Sequence, residues 1–466
     1  MNKKFESLFK DTIIFALGSF GSKIILFFLV PLYTNYLTTD EYGIADLVFT
    51  ASQLLLPVIS IVIFEAVIRF GLMKNERSEE VLKVAMMMVV IGSVVAFVLT
   101  PIVGLYKSIS EWKWYLYVYL VFNFASNVEK SYLKVKDKNK SYAVISVLQT
   151  LTLAILNVIL LVFLHTGIKG YLIANIVSMF LSVVMATFSG KIISDLRRAS
   201  LNKKLFKEMV LYSAPLILND ISWWVIHSSD KFMIEAMVSV SALGIYTVAT
   251  KIPSLINVLI SIFGQAWNIS SIKEMDSTND SRFYAQVFSG YSFLSFLACI
   301  LIVSIIKPFM NVYVGMDFRG AWKYVPFLLV SAVFSSIASY FGQLYAALRK
   351  SMNNMITTLI SAVVNIIINY IGIILFDVWG AILGTVVSYI ILANVRMIDV
   401  KRFVNIEINI PKYIINCLLV LIHAVFVSMN FHTIVVSMIC CFLFVVINRS
   451  ILFKVINITI NKFSRK

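Results

Sequence analysis

The chain has little charge, little proline and little cysteine. Only 14% of its 466 residues are Asp, Glu, Lys or Arg, while 60% are hydrophobic. A soluble domain carries roughly 25% charged residues, so this composition excludes an ordinary water-soluble fold. It equally excludes a disordered or low-complexity chain. With only eight prolines, few helices are interrupted. The four cysteines are Cys299, Cys417, Cys440 and Cys441. All lie in apolar runs without metal-ligand spacing, so they read as small packing residues. Acidic side chains are the scarcer sign, 24 against 40 basic, for a formal net charge of +16. Long polar loops are also missing. The largest on the lysine-poor side, near 307–321, leaves no room for a soluble catalytic domain. No P-loop, nucleophile elbow, metal cluster or paired-carboxylate loop appears, which argues against an enzyme such as a membrane glycan polymerase. No cofactor is implied.

What is present is a series of apolar segments of spanning length. They fall near 11–34, 43–70, 82–106, 112–133, 142–164, 168–190, 208–234, 242–270, 283–306, 322–346, 352–376, 379–398, 411–430 and 433–453. A bilayer core needs about 20 apolar residues per helix. The pattern therefore predicts an all-α polytopic membrane protein with fourteen transmembrane helices. The apolar N-terminal stretch is too long for a signal-peptide core and reads as a retained first helix. The weakest boundary is at Asp377, between the eleventh and twelfth spans.

Charge distribution predicts the topology. Of the 40 Lys and Arg, 31 fall on the side of the N-terminus, six on the other side, and three, Lys23, Lys231 and Lys251, inside spans. The excess of positive charge on cytoplasmic loops predicts both termini in the cytoplasm. It also explains the net charge through topology and lipid contact, without a nucleic-acid partner. The segment SEWKWYLYVY (110–119) reads as an aromatic anchor at the opposite interface.

The chain also repeats itself. FKDTIIFALGSFGSK (9–23) aligns with FKEMVLYSAPLILND (206–220) at an offset of 197, and EYGIADLVFTASQLL (41–55) with ALGIYTVATKIPSLI (242–256) at 201. This predicts two pseudo-symmetric six-helix lobes around a central cavity, residues 1–195 and 196–405. Helices thirteen and fourteen and a basic tail occupy 406–466. An even number of spans per lobe makes the repeat parallel, the arrangement of rocking-bundle transporters.

PLYTNYLTTDEYGIADL (31–47), FEAVIRF (64–70) and DKFMIEAMVSVSALGIYTVATKI (230–252) resemble the polysaccharide-lipid flippases of the multidrug/oligosaccharidyl-lipid/polysaccharide exporter superfamily. The matching positions include Asp230, Lys231, Gly244, Tyr246 and Ala249. The resemblance covers about residues 5–400, and fourteen spans are usual in that family. It implies flipping of an undecaprenyl-diphosphate-linked O-antigen, capsule or exopolysaccharide repeat unit across the bacterial inner membrane by alternating access. The expected partners are that glycan lipid, the bilayer, a polysaccharide polymerase and chain-length regulator, and H⁺ or Na⁺ as coupling ion. A multidrug or organic-cation exporter and a lipid II flippase are the alternatives within the superfamily.

Intramembrane charges mark functional sites by default. Lys23, Lys231, Lys251 and Arg69 are the candidates for the diphosphate or lumen, and Asp46, Glu65, Asp220 and Asp230 for the coupling ion or gating. Lys23 aligns with Asp220 through the repeat, so the two form either a gate or a permanent pair. Lys251 holds either diphosphate or an acid such as Asp46. Lys231 faces the lumen or snorkels. Glu65 and Arg69, spaced i,i+4, read first as an intrahelical ion pair. His227 reads as a hydrogen-bonded helix residue; His165, His423 and His432 receive no role. Trp223, Trp224, Tyr340 and Tyr345 can stack on sugars, with Gln343 on hydroxyls, although spanning aromatics mostly pack. The pairs Asn123/Asn127 and Asn365/Asn369 read as interhelical glue.

Overall fold

The computed structural model describes residues 21–73, 77–254, 281–348, 350–404 and 406–463, with residues 256, 263, 267 and 271. Among the described residues every regular element is a helix. Eleven helices among the described residues are long and apolar enough to cross a membrane. The first and eighth expected spans fall partly outside the described residues. The fourth forms a helix, Lys113–Val135, whose Tyr, Trp and Asn content keeps it out of that eleven.

Two compact units divide the chain, Met1–Trp224 and Val225–Lys466. In order, the first contains α1 (21–36), α2 (Thr39–Ser60), α3 (Ile63–Gly71), α4 (Ser78–Val103), α5 (Lys113–Val135), α6 (Asn139–Asn157), α7 (Gly167–Gly190) and α8 (Ile192–Arg198). The division falls within α9 (Lys203–Met237). The second unit contains α10 (Val240–Lys251), α11 (Ser281–Tyr313), α12 (Val325–Ala347), α13 (Ser351–Phe376), α14 (Val378–Val400), α15 (Ile410–Ser428) and α16 (Thr433–Phe463).

The start of α2 is fixed by a capping box. Thr38 Oγ1 accepts from the Glu41 N–H at 3.2 Å, and the Thr38 N–H donates to Glu41 Oε2 at 3.0 Å, satisfying two donors at the helix start. Glu41 Oε1 also accepts from the Ile168 N–H at 3.3 Å, tying this turn to α7. In the second unit Ser239 caps α10 through the Ala242 N–H at 3.1 Å. Thr38 and Ser239 lie 201 residues apart, the offset read from the sequence. The repeat therefore extends to the side chains that begin these helices.

The second expected span, 43–70, is not one helix. It breaks between α2 and α3, where Ile61 (φ 49°) and Val62 (φ 53°) are both left-handed. β-branched residues seldom adopt that conformation. Pro57 lies one turn earlier, and Ser60 Oγ accepts the Val62 N–H at 3.1 Å, which compensates part of the broken ladder. Lys191 (φ 55°) similarly separates α7 from α8, and a π-helical turn, Val158–Phe163, follows α6. Periodicity alone shows none of these breaks.

The core of the first unit lies where α3, α4 and α5 meet α8 and the start of α9. It contains Ile63, Val67, Leu82, Met88, Phe124, Val128, Ile192 and Met209. Polar links cross it. Ser126 and Ser182 hydroxyls lie 3.2 Å apart, and Thr187 Oγ1 donates to Glu129 Oε1 at 2.9 Å. Beyond the spans, Asp195 Oδ2 accepts from Tyr132 at 2.9 Å and from Lys136 at 2.6 Å. Burial raises the Asp195 pKa, but these two donors and the Lys136 charge hold it below the usual carboxylate value.

In the second unit α13 and α14 are joined by a single residue, Asp377, where the sequence placed its weakest boundary. Their backbones nearly touch: a Cβ on Gly380 would lie 1.9 Å from the Gly372 carbonyl carbon. The amide pairs bond along their own helices, Asn127 to Asn123 on α5 and Asn369 to Asn365 on α13, because the i,i+4 spacing brings the two amides onto one face. Asn365 also meets Ser229 of α9 at 3.4 Å, an interhelical contact of the kind expected.

Candidate functional site

A polar cavity of about 170 Å³ opens within the second unit, between the end of α9 and helices α10, α12 and α14. Its volume exceeds that of several waters. His227, Asp230 and Lys231 enter it from α9, Tyr246 from α10, Ser331 from α12, and Thr385 and Tyr389 from α14. The intramembrane charges Asp230 and Lys231 thus line a hollow instead of facing lipid.

Asp230 is 2% exposed. Tyr246 donates to its Oδ2, and Thr385 Oγ1 lies 3.5 Å away. Its other oxygen, Oδ1, is buried and has no hydrogen-bond partner among the described residues. A buried carboxylate oxygen left without a donor is costly, so this position favours a cation or a proton. His227 is exposed to the hollow, its Nδ1 2.8 Å from the Tyr389 hydroxyl. Between His227 and Asp230 on α9, Ser229 Oγ lies 3.4 Å from Asn365 Oδ1. Thr385, Tyr389 and Ser331 escaped the sequence reading because neutral hydroxyls on apolar helices carry no distinctive spacing.

The remaining predicted residues scatter. Lys251 is half-buried at the end of α10 and does not line this cavity. Tyr340 is 1% exposed, stacked on Trp267 at 4.8 Å between ring centroids, and donates to the Tyr284 carbonyl at 2.7 Å. Tyr345 is fully buried and donates to Asp399 Oδ2 at 2.8 Å. Neither ring offers a face to a sugar; both pack, as most spanning aromatics do. Gln343 is half-buried, with Oε1 unsatisfied among the described residues.

In the first unit Lys23 is exposed on α1 and Asp220 half-buried on α9, where Asn219 donates to it at 3.3 Å. No ion pair joins Lys23 to Asp220 among the described residues. Asp46 is half-buried on α2. Glu65 and Arg69 are both exposed and do not pair. The Arg69 guanidinium instead lies over the Tyr212 ring, 4.6 Å from its centroid. A weakly hydrated planar cation stacks readily on an aromatic face, and the short helix α3 turns Arg69 toward α9. Trp223 and Trp224 are half-buried; the Trp224 indole donates to the Thr50 carbonyl at 2.9 Å.

Arg396 is one of the 31 basic residues that charge counting assigns to the N-terminal side, but it is not in a connecting segment. It lies on α14 at 1% exposure and fans its donors to Thr357, Ala338, Asn354 and Thr358. Gly342 provides its space: a Cβ there would lie 2.6 Å from Nη1. Among the described residues no group of three His, Cys, Asp or Glu is placed to hold a metal.

Comparison with known proteins gives the lineage. The Lsg locus protein 1 of Haemophilus influenzae is 25% identical over 348 residues, covering 70% of this chain and 82% of that protein. Among solved structures, lipid II flippase MurJ in an inward closed conformation overlays with a TM-score of 0.68 at 15% identity, over 94% of this chain and all of that one. An inward-facing multidrug resistance MATE transporter of the MOP superfamily overlays at 0.62 and 16% identity, over 80% and 96%. The fold is therefore that of this superfamily's transporters. The profile of the polysaccharide biosynthesis protein family matches residues 8–268, more than half of the chain. This chain belongs to the polysaccharide biosynthesis protein family.

Proposed function

We propose that the protein flips an undecaprenyl-diphosphate-linked oligosaccharide repeat unit from the cytoplasmic to the periplasmic leaflet of a bacterial inner membrane. It does so by alternating access between two lobes, with both termini cytoplasmic, and coupled to H⁺ or Na⁺. The observation that carries this reading is the polar cavity beside α9, in a chain of this family and fold. Buried Asp230, with one oxygen unpartnered among the described residues, binds the coupling ion. Tyr246 and Thr385 orient its carboxylate. Lys231, Lys251, Lys23 and Arg69 serve the diphosphate, and Asp46, Glu65 and Asp220 contribute to gating. Trp223 and Trp224 meet the glycan.

Cations hold the diphosphate through charge-assisted hydrogen bonds, while the polyprenyl tail stays in the bilayer. A ligand shifts a two-state equilibrium only through its differential affinity for the states. Ion binding at Asp230 therefore drives the cycle if one state alone presents the carboxylate to water.

The test is transport of labelled undecaprenyl-diphosphate glycan in proteoliposomes under imposed proton or sodium gradients. Asp230→Asn should lose gradient dependence and at least tenfold of the rate while remaining monodisperse. Gradient-independent transport by the unmodified protein would remove the ion-coupled part. Lipid II export is the second reading, favoured by overlap with MurJ along 94% of the chain. Rescue of a MurJ-depleted strain, without restored surface polysaccharide in a strain lacking its repeat-unit flippase, would select it.

A further inference from the structure

A second polar pocket, of about 120 Å³, lies within the second unit, far along the sequence from the cavity at Asp230. It is bounded by the first turns of α11, the segment before α15, the start of α15 and the later part of α16. Phe288, Phe293 and Phe296 supply aromatic walls. Asn416 and Asn448 exchange amide hydrogen bonds on another side, with Asn448 Nδ2 2.9 Å from Asn416 Oδ1. Three features do not belong to a packing defect. Tyr413 is 7% exposed, lines the pocket, and its buried hydroxyl meets no nitrogen or oxygen partner among the described residues, with the weakly bonding Cys417 thiol beside it. Lys412 lines it half-buried. Glu407, itself exposed, lines it from the segment before α15. Neither Glu407 nor Lys412 is in an ion pair among the described residues.

The pocket thus offers a cation, a carboxylate and a waiting hydroxyl around one small space. A phosphate alone satisfies Lys412 and Tyr413 but meets Glu407 as a like charge. An amine alone has the reverse difficulty. A zwitterion carrying both satisfies all three. The outer face of α15 continues from this pocket as exposed apolar side chains: Ile414, Ile415, Leu418 and Ile422. These residues suit acyl chains. The surrounding segments also carry Arg282, Lys401, Arg402 and Arg449, placing the pocket at the basic end of these helices, where lipid head groups lie.

The geometry points to a site for the phosphoethanolamine head group of a bilayer lipid, with phosphate on Lys412 and Tyr413 and ammonium on Glu407. The site is separate from the transported lipid, whose diphosphate Glu407 would repel. It stands apart from the flipping proposal.

The test uses the full-length protein purified in detergent. Lipid binding is read by native mass spectrometry with equimolar phosphatidylethanolamine and phosphatidylglycerol of the same chains. The unmodified protein should retain one phosphatidylethanolamine with about tenfold preference, or about 1.4 kcal/mol. Glu407→Gln should bring that preference close to unity by weakening phosphatidylethanolamine alone. Lys412→Met should weaken both lipids about tenfold, and Tyr413→Phe a few-fold. Glu111→Gln, in the first unit and absent from the pocket lining, should change nothing. Equal retention of the two lipids, or an unchanged preference in Glu407→Gln, would overturn the site. So would glycerophosphoethanolamine binding as tightly as the lipid, which would assign the pocket to a soluble ester, or displacement by undecaprenyl phosphate at equal concentration, which would make it part of the transport route. No transport assay enters, so its outcome leaves the flipping proposal untouched.

Discussion

Arg396 carries a formal charge with no carboxylate bonded to it among the described residues, and its stability comes from geometry. Its guanidinium meets neutral oxygens on α12 and α13 at 2.6–3.2 Å, so one side chain links three helices. Lysine cannot reproduce a planar fan of donors. Arg396→Lys is expected to leave several buried acceptors unpaired and lower stability by about 3 kcal/mol. The check is the melting temperature of the purified protein, and an unchanged value would rule out the linking role. Asp195 gives a pH prediction. Its pKa is lowered in the folded protein, so its contribution is present above the unfolded value, about 3.9. That contribution is lost as pH falls through the folded value. Asp195→Asn should therefore lower the melting temperature at pH 7, and its difference from the unmodified protein should shrink as pH falls below the unfolded value. At this scale the sequence was informative where charge met an apolar run, as at Asp230 and Lys231. It was silent on partners. Arg396 looked like a loop cation because it lies four residues from the end of its helix. Tyr340 looked available because a ring's exposure depends on helices distant in sequence.

Elements were legible where hydropathy marks an edge. The caps of α2 and α10, Thr38 with Glu41 and Ser239, came from the structure. Breaks inside apolar stretches were not legible, because left-handed Ile61 and Val62 leave hydropathy unaltered. That break has an experimental signature. Inside a helix, Gly is worse than Ala by about 0.5–1 kcal/mol. At a left-handed position the order reverses, since L residues lose about 1–2 kcal/mol there. Ile61→Gly should therefore be more stable than Ile61→Ala by about 1 kcal/mol, measured by thermal unfolding; the helical order would contradict the break. The Gly372–Gly380 approach predicts the opposite intolerance. Gly380→Ala inserts a Cβ 1.9 Å from backbone, and overpacking of this kind costs about 1–3 kcal/mol or more. Reduced yield of folded protein and a lower melting temperature are expected.

For the whole molecule, composition and charge carried the furthest. An all-helical membrane protein was readable from hydrophobic content, and its superfamily from short motifs at α1, α2, α3, α9 and α10. The predicted orientation has a direct test. In a protein whose four cysteines are replaced by serine, Lys107→Cys should react with a membrane-impermeant maleimide added to the periplasmic side. Ser200→Cys should react only after permeabilisation; the reverse pattern would invert the topology. Burial within each unit was beyond the sequence, because nearly every span is apolar all round and periodicity then cannot distinguish lipid from protein. The one-residue connector at Asp377 bears on biogenesis. With no slack between them, α13 and α14 cannot partition into lipid one after the other. Their joint would have to remain in the insertion machinery until both were complete, so the pair should leave it as a preassembled unit, already closed at Gly372 and Gly380.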